Sequence, residues 1–438
     1  MRSLTVDVLL VSGVALVLGL FRLGTPSVWF DEGLSAYEVD LSMHELAARQ
    51  FHLLYFSVLK PWVGVAGDSE WALRLPSVVG LVLACALLVV LGHRLFDRWT
   101  ARASGLLLAT SPFLVTWSQQ ARGYSLLLAW AVLATLLLVR ALDVGTRAAW
   151  AMYGAAFCLV VVWHAVGGLL LVPAHALLVA QRRERALPHV WTAVLVVFAI
   201  AVPWVGIGAA RSIDEYTTAW LTFPSAREAG SALLGISGAA GVGLVLAIVG
   251  LGLLRRRRGS DAAWLATWAF APFVVALVVS LARPIFLDRY LIVAAPAFAL
   301  LAGAAIVGLA SRLRAVAVVA VAVATVAALG VYYAQGDNGN WRGEDWRGAV
   351  RAVTEQGDRA AAVVIAPAVA RPVAEYYGAE AVDSSSADAI WVLVWSEDAG
   401  ELSASERREL GLDDHRLVEQ EDFGRRLSAQ LWERTSSP

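Results

Sequence analysis

The chain has 438 residues, 59% of them hydrophobic and 16% charged, with a mean hydropathy of +0.65 and a formal net charge of −1. A soluble domain of this length carries about 25% charged residues, so the composition excludes a wholly soluble protein and places most of the chain in lipid. The small net charge conceals an asymmetry. From Ala334 onward 20 acids face 11 arginines, whereas the preceding part is basic, which reads as a membrane body followed by an acidic soluble tail.

Apolar runs long enough to cross a bilayer lie at about 4–22, 73–92, 103–119, 123–141, 148–164, 166–181, 189–208, 231–254, 262–281, 290–310 and 314–333. The first follows Arg2 and has no small-residue cleavage site behind it, so it is expected to be a retained span. A twelfth run, 51–67, is interrupted by Lys60-Pro61. Orientation decides its place. With that run lying in the outer interface, Arg94/Arg98/Arg102, Arg140/Arg147, Arg182/Arg183/Arg185, Arg255 to Arg258 and Arg312/Arg314 all fall on the same side as Arg2, which is the positive-inside pattern. The expected fold is therefore an all-α polytopic protein of the cytoplasmic (plasma) membrane with about eleven transmembrane helices. Its N-terminus is cytoplasmic and its small C-terminal α/β domain is extracytoplasmic.

The domains are expected at 1–333, with outer interfacial helices at about 27–67, and at 334–438. In the tail, helical periodicity spans 344–356 and 372–377, and short apolar strands are expected at 361–366 and 390–395. Cys85 and Cys158 lie in apolar runs and read as buried thiols. Seven histidines without ligand-like spacing, and no Asp-x-Asp pattern, give no expected metal site. No glycine fingerprint for a nucleotide is present, and neither a cofactor nor a nucleic-acid partner is expected.

On this topology the chemistry falls on the outer side. Asp31 and Glu32 follow Trp29-Phe30 just past the first span. A carboxylate there suits a base that takes an acceptor proton or steadies an oxocarbenium-like transition state, and it equally suits a solvated loop. Glu38 and Glu45 remain open as a second acid. Ser118-Gln119-Gln120-Ala121-Arg122-Gly123-Tyr124 forms an outer turn whose arginine fits a phosphate or pyrophosphate. Asp288-Arg289-Tyr290 repeats that theme, and Lys60 is placed either to hold a lipid phosphate or to anchor its helix. His52 and Tyr55 share a helical face, and His164 reads as a helix-end polar residue.

Together, Trp29-Phe30-Asp31-Glu32, His52-Leu53-Leu54-Tyr55-Phe56, the run from Asp68 to Ser77, Ser111-Pro112-Phe113, the Ser118–Tyr124 turn, Asp288-Arg289-Tyr290-Leu291 with Pro296, and Asp345-Trp346-Arg347 resemble bacterial family 39-type glycosyltransferases. These belong to the GT-C superfamily, which includes protein O-mannosyltransferases and the lipid A aminoarabinose transferase. The resemblance implies a GT-C-type membrane domain and a polyprenyl-phosphate sugar donor. It also implies an inverting transfer to an extracytoplasmic glycan, lipid or protein acceptor. Asp31, with Glu32 beside it, becomes the candidate catalytic base. Arg122, Arg289 and Lys60 become donor-phosphate contacts, and His52, Tyr55, Gln119, Tyr124 and Tyr290 substrate contacts. One departure is that His52 is followed by Leu53-Leu54 where many relatives carry His-Pro-Pro. A transporter of polyprenol or lipid-linked sugar is the competing reading. It would place charges near mid-membrane and pair broken helices in repeated halves, and neither is seen in the sequence.

Overall fold

A computed structural model describes residues 2–49, 52–210, 221–336, 340–355, 362–380, 387–396 and 402–435. The helices are α1 (Arg2–Leu20), α2 (Phe30–Asp40), α3 (Met43–Arg49), α4 (Leu53–Ala66), α5 (Glu70–Leu95), α6 (Arg98–Ala109), α7 (Pro112–Ser118), α8 (Tyr124–Val144), α9 (Arg147–Trp163), α10 (Ala165–Gln181), α11 (Arg183–Ala186), α12 (Val190–Ala210), α13 (Ala226–Ser237), α14 (Val242–Arg257), α15 (Gly259–Ser280), α16 (Ala295–Gly308) and α17 (Ser311–Gln335). The tail adds α18 (Trp346–Glu355), β1 (Ala362–Ala366), α19 (Arg371–Tyr376), β2 (Ala389–Trp395), α20 (Ala404–Glu409), β3 (His415–Asp422) and β4 (Leu427–Arg434). Contacts divide the chain into two compact units. The first comprises 1–21, 49–55 and 74–329; the second comprises 22–48, 56–73 and 330–438.

The first unit is a multi-pass membrane body. Every expected run is helical, and among the described residues seven helices are long and apolar enough to span a bilayer. Three differences from the uninterrupted runs have local causes. The run 103–119 is two helices, because Pro112 opens α7 after a break at Thr110-Ser111. The run 231–254 is divided between α13 and α14 by a kink at Gly238–Gly241. The run 290–310 begins as a 3₁₀ turn, Asp288–Ala294, before α16. Of the outer loop expected at 209–230, residues 211–220 lie outside the described residues.

At one end of this body the arginine-rich loops are cross-tied by two acids. Asp7, fully buried near the start of α1, accepts from His93 and Arg98, each at 3.0 Å, and from Arg102. Asp143, at the end of α8, pairs with Arg94 at 2.9 Å and Arg182 at 3.5 Å. A buried carboxylate is tolerated when its charge is matched and hydrogen-bonded in this way. The other end carries the turn between α7 and α8, the junction of α9 with α10, and the 3₁₀ turn.

In the second unit, the sheet order is β1-β2-β4-β3, with β1 parallel to β2 and the remaining pairs antiparallel. The right-sized connection through α19 makes β1-α19-β2 the βαβ-like element expected from the sequence; α20, β3 and β4 had no such signal. The core is built from Trp346, Val350, Ile365, Val373, Leu393 and Leu431, and it includes Val28, with Phe30 packed against it. Phe30 stacks on Trp395 at 4.5 Å. By contacts, residues 22–48 and 56–73 group with residues 330–438. α4 has 14 residues, or ~21 Å at the usual rise, too short for a hydrocarbon core of ~30 Å. Its Trp62 Nε1 donates to Ala72 O at 2.8 Å, and Tyr376 OH donates to Asp68 O at 2.8 Å. Glu70 accepts from Arg347 Nε at 3.2 Å and from Tyr377 OH at 3.0 Å.

The glycine that closes the Trp-Phe-Asp-Glu-Gly stretch has a packing role. A Cβ on Gly33 would stand 2.5 Å from Val373 Cα, so only hydrogen allows α2 to lie against α19. Gly33→Ala is expected to destabilise the protein by about 1–3 kcal/mol through overpacking, seen as a lowered midpoint of thermal unfolding in detergent.

Candidate active site

Asp31 and Glu32 occupy the first turn of α2, where unpaired backbone N–H groups and the helix dipole favour anionic side chains. The two acids are not equivalent. Glu32 is fully buried, and its Oε2 accepts the Trp29 N–H at 3.4 Å, so it caps its own helix. Asp31 is only half-buried. Lys60, in the same unit, donates from Nζ to Val39 O at 2.6 Å, placing a cation at the negative end of α2. Of the two further acids, Glu45 accepts the Ser42 N–H at 2.8 Å and donates its own N–H to Ser42 Oγ at 3.3 Å, so the pair forms a capping box at the start of α3.

The first unit gathers the remaining candidates. Between α7 and α8 the chain turns sharply, and Gln119, Arg122 and Gly123 are each tied by hydrogen bonds. Gln119 Nε2 donates to Gly19 O and Phe21 O, each at 2.8 Å, so this amide satisfies carbonyls at the end of α1. Arg122 N donates to Gln120 O at 2.7 Å, and Arg122 O accepts from Ser77 Oγ at 2.8 Å. Gly123 O accepts from Trp163 Nε1 at 2.8 Å, and a Cβ on Gly123 would stand 2.8 Å from that same nitrogen and 3.3 Å from the Tyr55 ring. The turn thus requires glycine between its arginine and its tyrosine.

Arg289 sits in the 3₁₀ turn, whose first N–H groups include its own, donated to Asp288 Oδ1 at 2.7 Å. Asp288 therefore acts as a turn cap. The Arg289 guanidinium donates from Nε to Tyr124 OH at 3.1 Å and lies 5.6 Å from the Trp117 ring centre, 5.9 Å from Tyr124 and 5.9 Å from Tyr290. These rings hold a desolvated cation by their electron-rich faces. Arg122 and Arg289 are both buried, at 7% and 6% exposure. His164 stands 4.5 Å from Tyr290 and 5.6 Å from His52, which in turn is 6.3 Å from Tyr124. His52 adopts a left-handed backbone, φ 51°, uncommon for a residue with a side chain.

Burial, followed by the charges of Arg289 and Arg122, pushes the His164 imidazole down to about 4. Burial, followed by Arg122, likewise holds His52 well below its usual range. His164 Nδ1 accepts the Gly167 N–H at 3.1 Å and caps α10, so its Nε2 carries the proton in the neutral form. The cluster is therefore cationic, with its charge on the two guanidiniums and with imidazole and aromatic groups around them. Such a set can bind a phosphate through forked, charge-assisted hydrogen bonds. Among the described residues, no three His, Cys, Asp or Glu side chains converge as a metal site would need.

Residues 54–207 match the family model described as dolichyl-phosphate-mannose-protein mannosyltransferase. ArnT from Cupriavidus metallidurans in the apo state is similar to this chain with a TM-score of 0.64 at 15% identity, covering 98% of each chain. The same protein bound to undecaprenyl phosphate gives 0.62 at 15% identity, covering 97% of each. The archaeal oligosaccharyltransferase AglB from Archaeoglobus fulgidus, in complex with an inhibitory peptide and a dolichol-phosphate, gives 0.54 at 12% identity, covering 89% of this chain and 69% of that one. No curated protein sequence matches.

The chain has the GT-C glycosyltransferase fold. The family likeness carried by the residues is thus borne out, both in sequence over 54–207 and in fold over nearly the whole length. Within this GT-C fold, the sequence pattern singled out Arg122, Tyr124, Arg289 and Tyr290 separately, and the structure brings Tyr124, Arg289 and Tyr290 into contact. The pattern did not show that Trp117, Trp163 and His164 complete the cluster. The only signal they offered was their position at the ends of apolar runs. Gln119, expected among substrate contacts, donates its amide nitrogen to carbonyls at the end of α1.

The histidines give a pH signature. In the folded state His164 is depressed to about 4, against 6.5 for a free imidazole, so the unfolded chain binds the extra proton between these values. Stability is complete above about pH 6.5 and falls as pH drops toward 4. Thermal midpoints in detergent should decline over that window, and His164→Gln should make the decline shallower.

Proposed function

We propose that this protein is an inverting glycosyltransferase that moves a sugar from a polyprenyl-phosphate donor to an acceptor outside the cytoplasmic membrane. In this reading the N-terminus and the arginine-rich loops face the cytoplasm, and the second unit with the acidic tail faces outward. The observation that carries the reading is the pair of buried arginines, Arg122 and Arg289, held in an aromatic and histidine-lined cluster at the end of the membrane body away from the cross-tied arginine loops. The ligands of two similar structures, undecaprenyl phosphate and a dolichol-phosphate, are lipid phosphates of the class such a cluster suits.

The chemistry follows from the residues. Asp31 takes the proton from the acceptor nucleophile as that atom attacks the anomeric carbon from the face opposite the phosphate. The bond from anomeric carbon to phosphate oxygen breaks, and its electron pair leaves with the polyprenyl phosphate. Arg122 and Arg289 stabilise the negative charge that develops there, in a site where neutral His52 and His164 add no competing titration. Glu32 orients the helix that carries Asp31. His52, Tyr55, Tyr124 and Tyr290 shape the donor's surroundings, and Lys60 steadies α2 from its far end. The donor is activated before it arrives, so no nucleotide is needed.

The test mixes purified wild type, Asp31→Asn and Arg289→Gln with radiolabelled polyprenyl-phosphate sugars and a membrane extract. Asp31→Asn is expected to lower the transfer rate about 10²–10⁴-fold with donor affinity retained. Arg289→Gln is expected to lower kcat/KM by about 10–100-fold, the range for losing one strong charged contact. Unchanged transfer by Asp31→Asn would move the base to another acid.

A further inference from the structure

The acid that opens the tail, Glu344, is buried at 0% exposure beside the helix that carries Asp31, and no step above uses it. Its Oε2 accepts two hydrogen bonds, from Trp346 Nε1 at 3.0 Å and from the backbone N–H of Phe30 at 3.3 Å. Phe30 is the first residue of α2. The residue at the cap position is Trp29, whose side chain has no acceptor to offer the first helical N–H groups. α2 thus lacks the local Ser, Thr, Asp or Asn that would normally terminate it. The missing acceptor comes from 314 residues later in the chain.

Glu344 is itself locked in place. Its N–H donates to Asn340 Oδ1 at 3.3 Å, it bridges Gly424, and the next residue's N–H donates to Phe423 O at 2.9 Å. The same turn reaches the residues just before α2. Asn340 Nδ2 donates to Ser27 O and Val28 O, each at 3.4 Å, and Tyr377 OH accepts the Val28 N–H at 2.8 Å. The second carboxylate oxygen of Glu344 is buried without a hydrogen-bond partner, a desolvation cost that a purely structural position would avoid by carrying a smaller group.

We propose that Glu344 is a positioning residue for the transfer reaction: it caps α2 from the tail and so fixes the direction in which Asp31 points. This rests on Asp31 being the base. The tail then belongs to the chemistry itself and is not only an appendage that meets acceptors.

Three variants test it in the transfer assay, beside Asp31→Asn. Glu344→Gln keeps the reach and an acceptor oxygen, and should retain kcat within about threefold. Glu344→Asp keeps the charge but falls short by one methylene; it should lower kcat about 10–100-fold, as a shift near 1 Å in a reacting group does, with donor KM within twofold. Trp346→Phe removes the other donor to Glu344; it should lower the thermal midpoint and leave kcat unchanged. Wild-type kcat in Glu344→Asp, or an equal kcat loss in Trp346→Phe, would overturn the proposal. So would a Glu344→Gln loss as large as that of Glu344→Asp. Asp31→Asn separates the two ideas. If it is inactive while Glu344→Asp is normal, only the positioning role fails; if it is fully active, the assignment of the base fails.

Discussion

Four residues, Ser27 to Phe30, are held from both sides by the tail, and the second unit depends on how that is done. Val28 and Phe30 point into the tail core, while Trp29 packs against Trp341 at 5.6 Å and under the Arg342 guanidinium at 4.9 Å. The backbone groups between these apolar anchors go to Asn340, Tyr377 and Glu344. Burial of a segment this polar along its backbone is feasible only when its donors and acceptors are met. Once they are met, α2 has one direction available, with Gly33 allowing its close approach to α19. Sequence proximity to the first membrane span says nothing of this, because the partners lie more than 300 residues away.

The membrane body solves a different problem. Two guanidiniums are buried at one end of it, and an arginine taken out of water needs its charge spread over fixed partners. Trp117, Tyr124 and Tyr290 do this for Arg289, and the turn carrying Arg122 is pinned by Ser77, Trp163 and Gln119. Burial, and after it the same positive field, lowers the pKa of His52 and His164. At the other end, Asp7 and Asp143 gather the arginines of several short loops. The two ends therefore hold charge in opposite ways: one matches it among acids, and the other keeps two guanidiniums among aromatic rings and imidazoles.

Much of this was legible in the chain. Apolar runs and arginine spacing located the helices of the membrane body, since spanning lipid forces a long, local hydrophobic signal. The runs failed to show their breaks at Thr110-Ser111 and at Gly238–Gly241, where hydropathy stays high while the backbone changes course. Motif residues such as Arg122, Tyr124 and Arg289 were also readable, because a charged or aromatic group at a span end is conspicuous. His164 was not, because one histidine that caps a helix looks the same in sequence whether or not it faces Tyr290.

By itself, then, the sequence determined the membrane character, the helical class, the acidic tail and the family likeness, all of which rest on composition and short-range pattern. Only the tertiary structure decided that the first outer loop folds with the tail, that Glu32 is fully buried while Asp31 stays half-buried, and that Glu344 completes α2. Those outcomes depend on hydrogen bonds and packing between residues hundreds of positions apart. Periodicity carries no record of such pairs, because each partner alone is an ordinary glutamate, glycine or tryptophan.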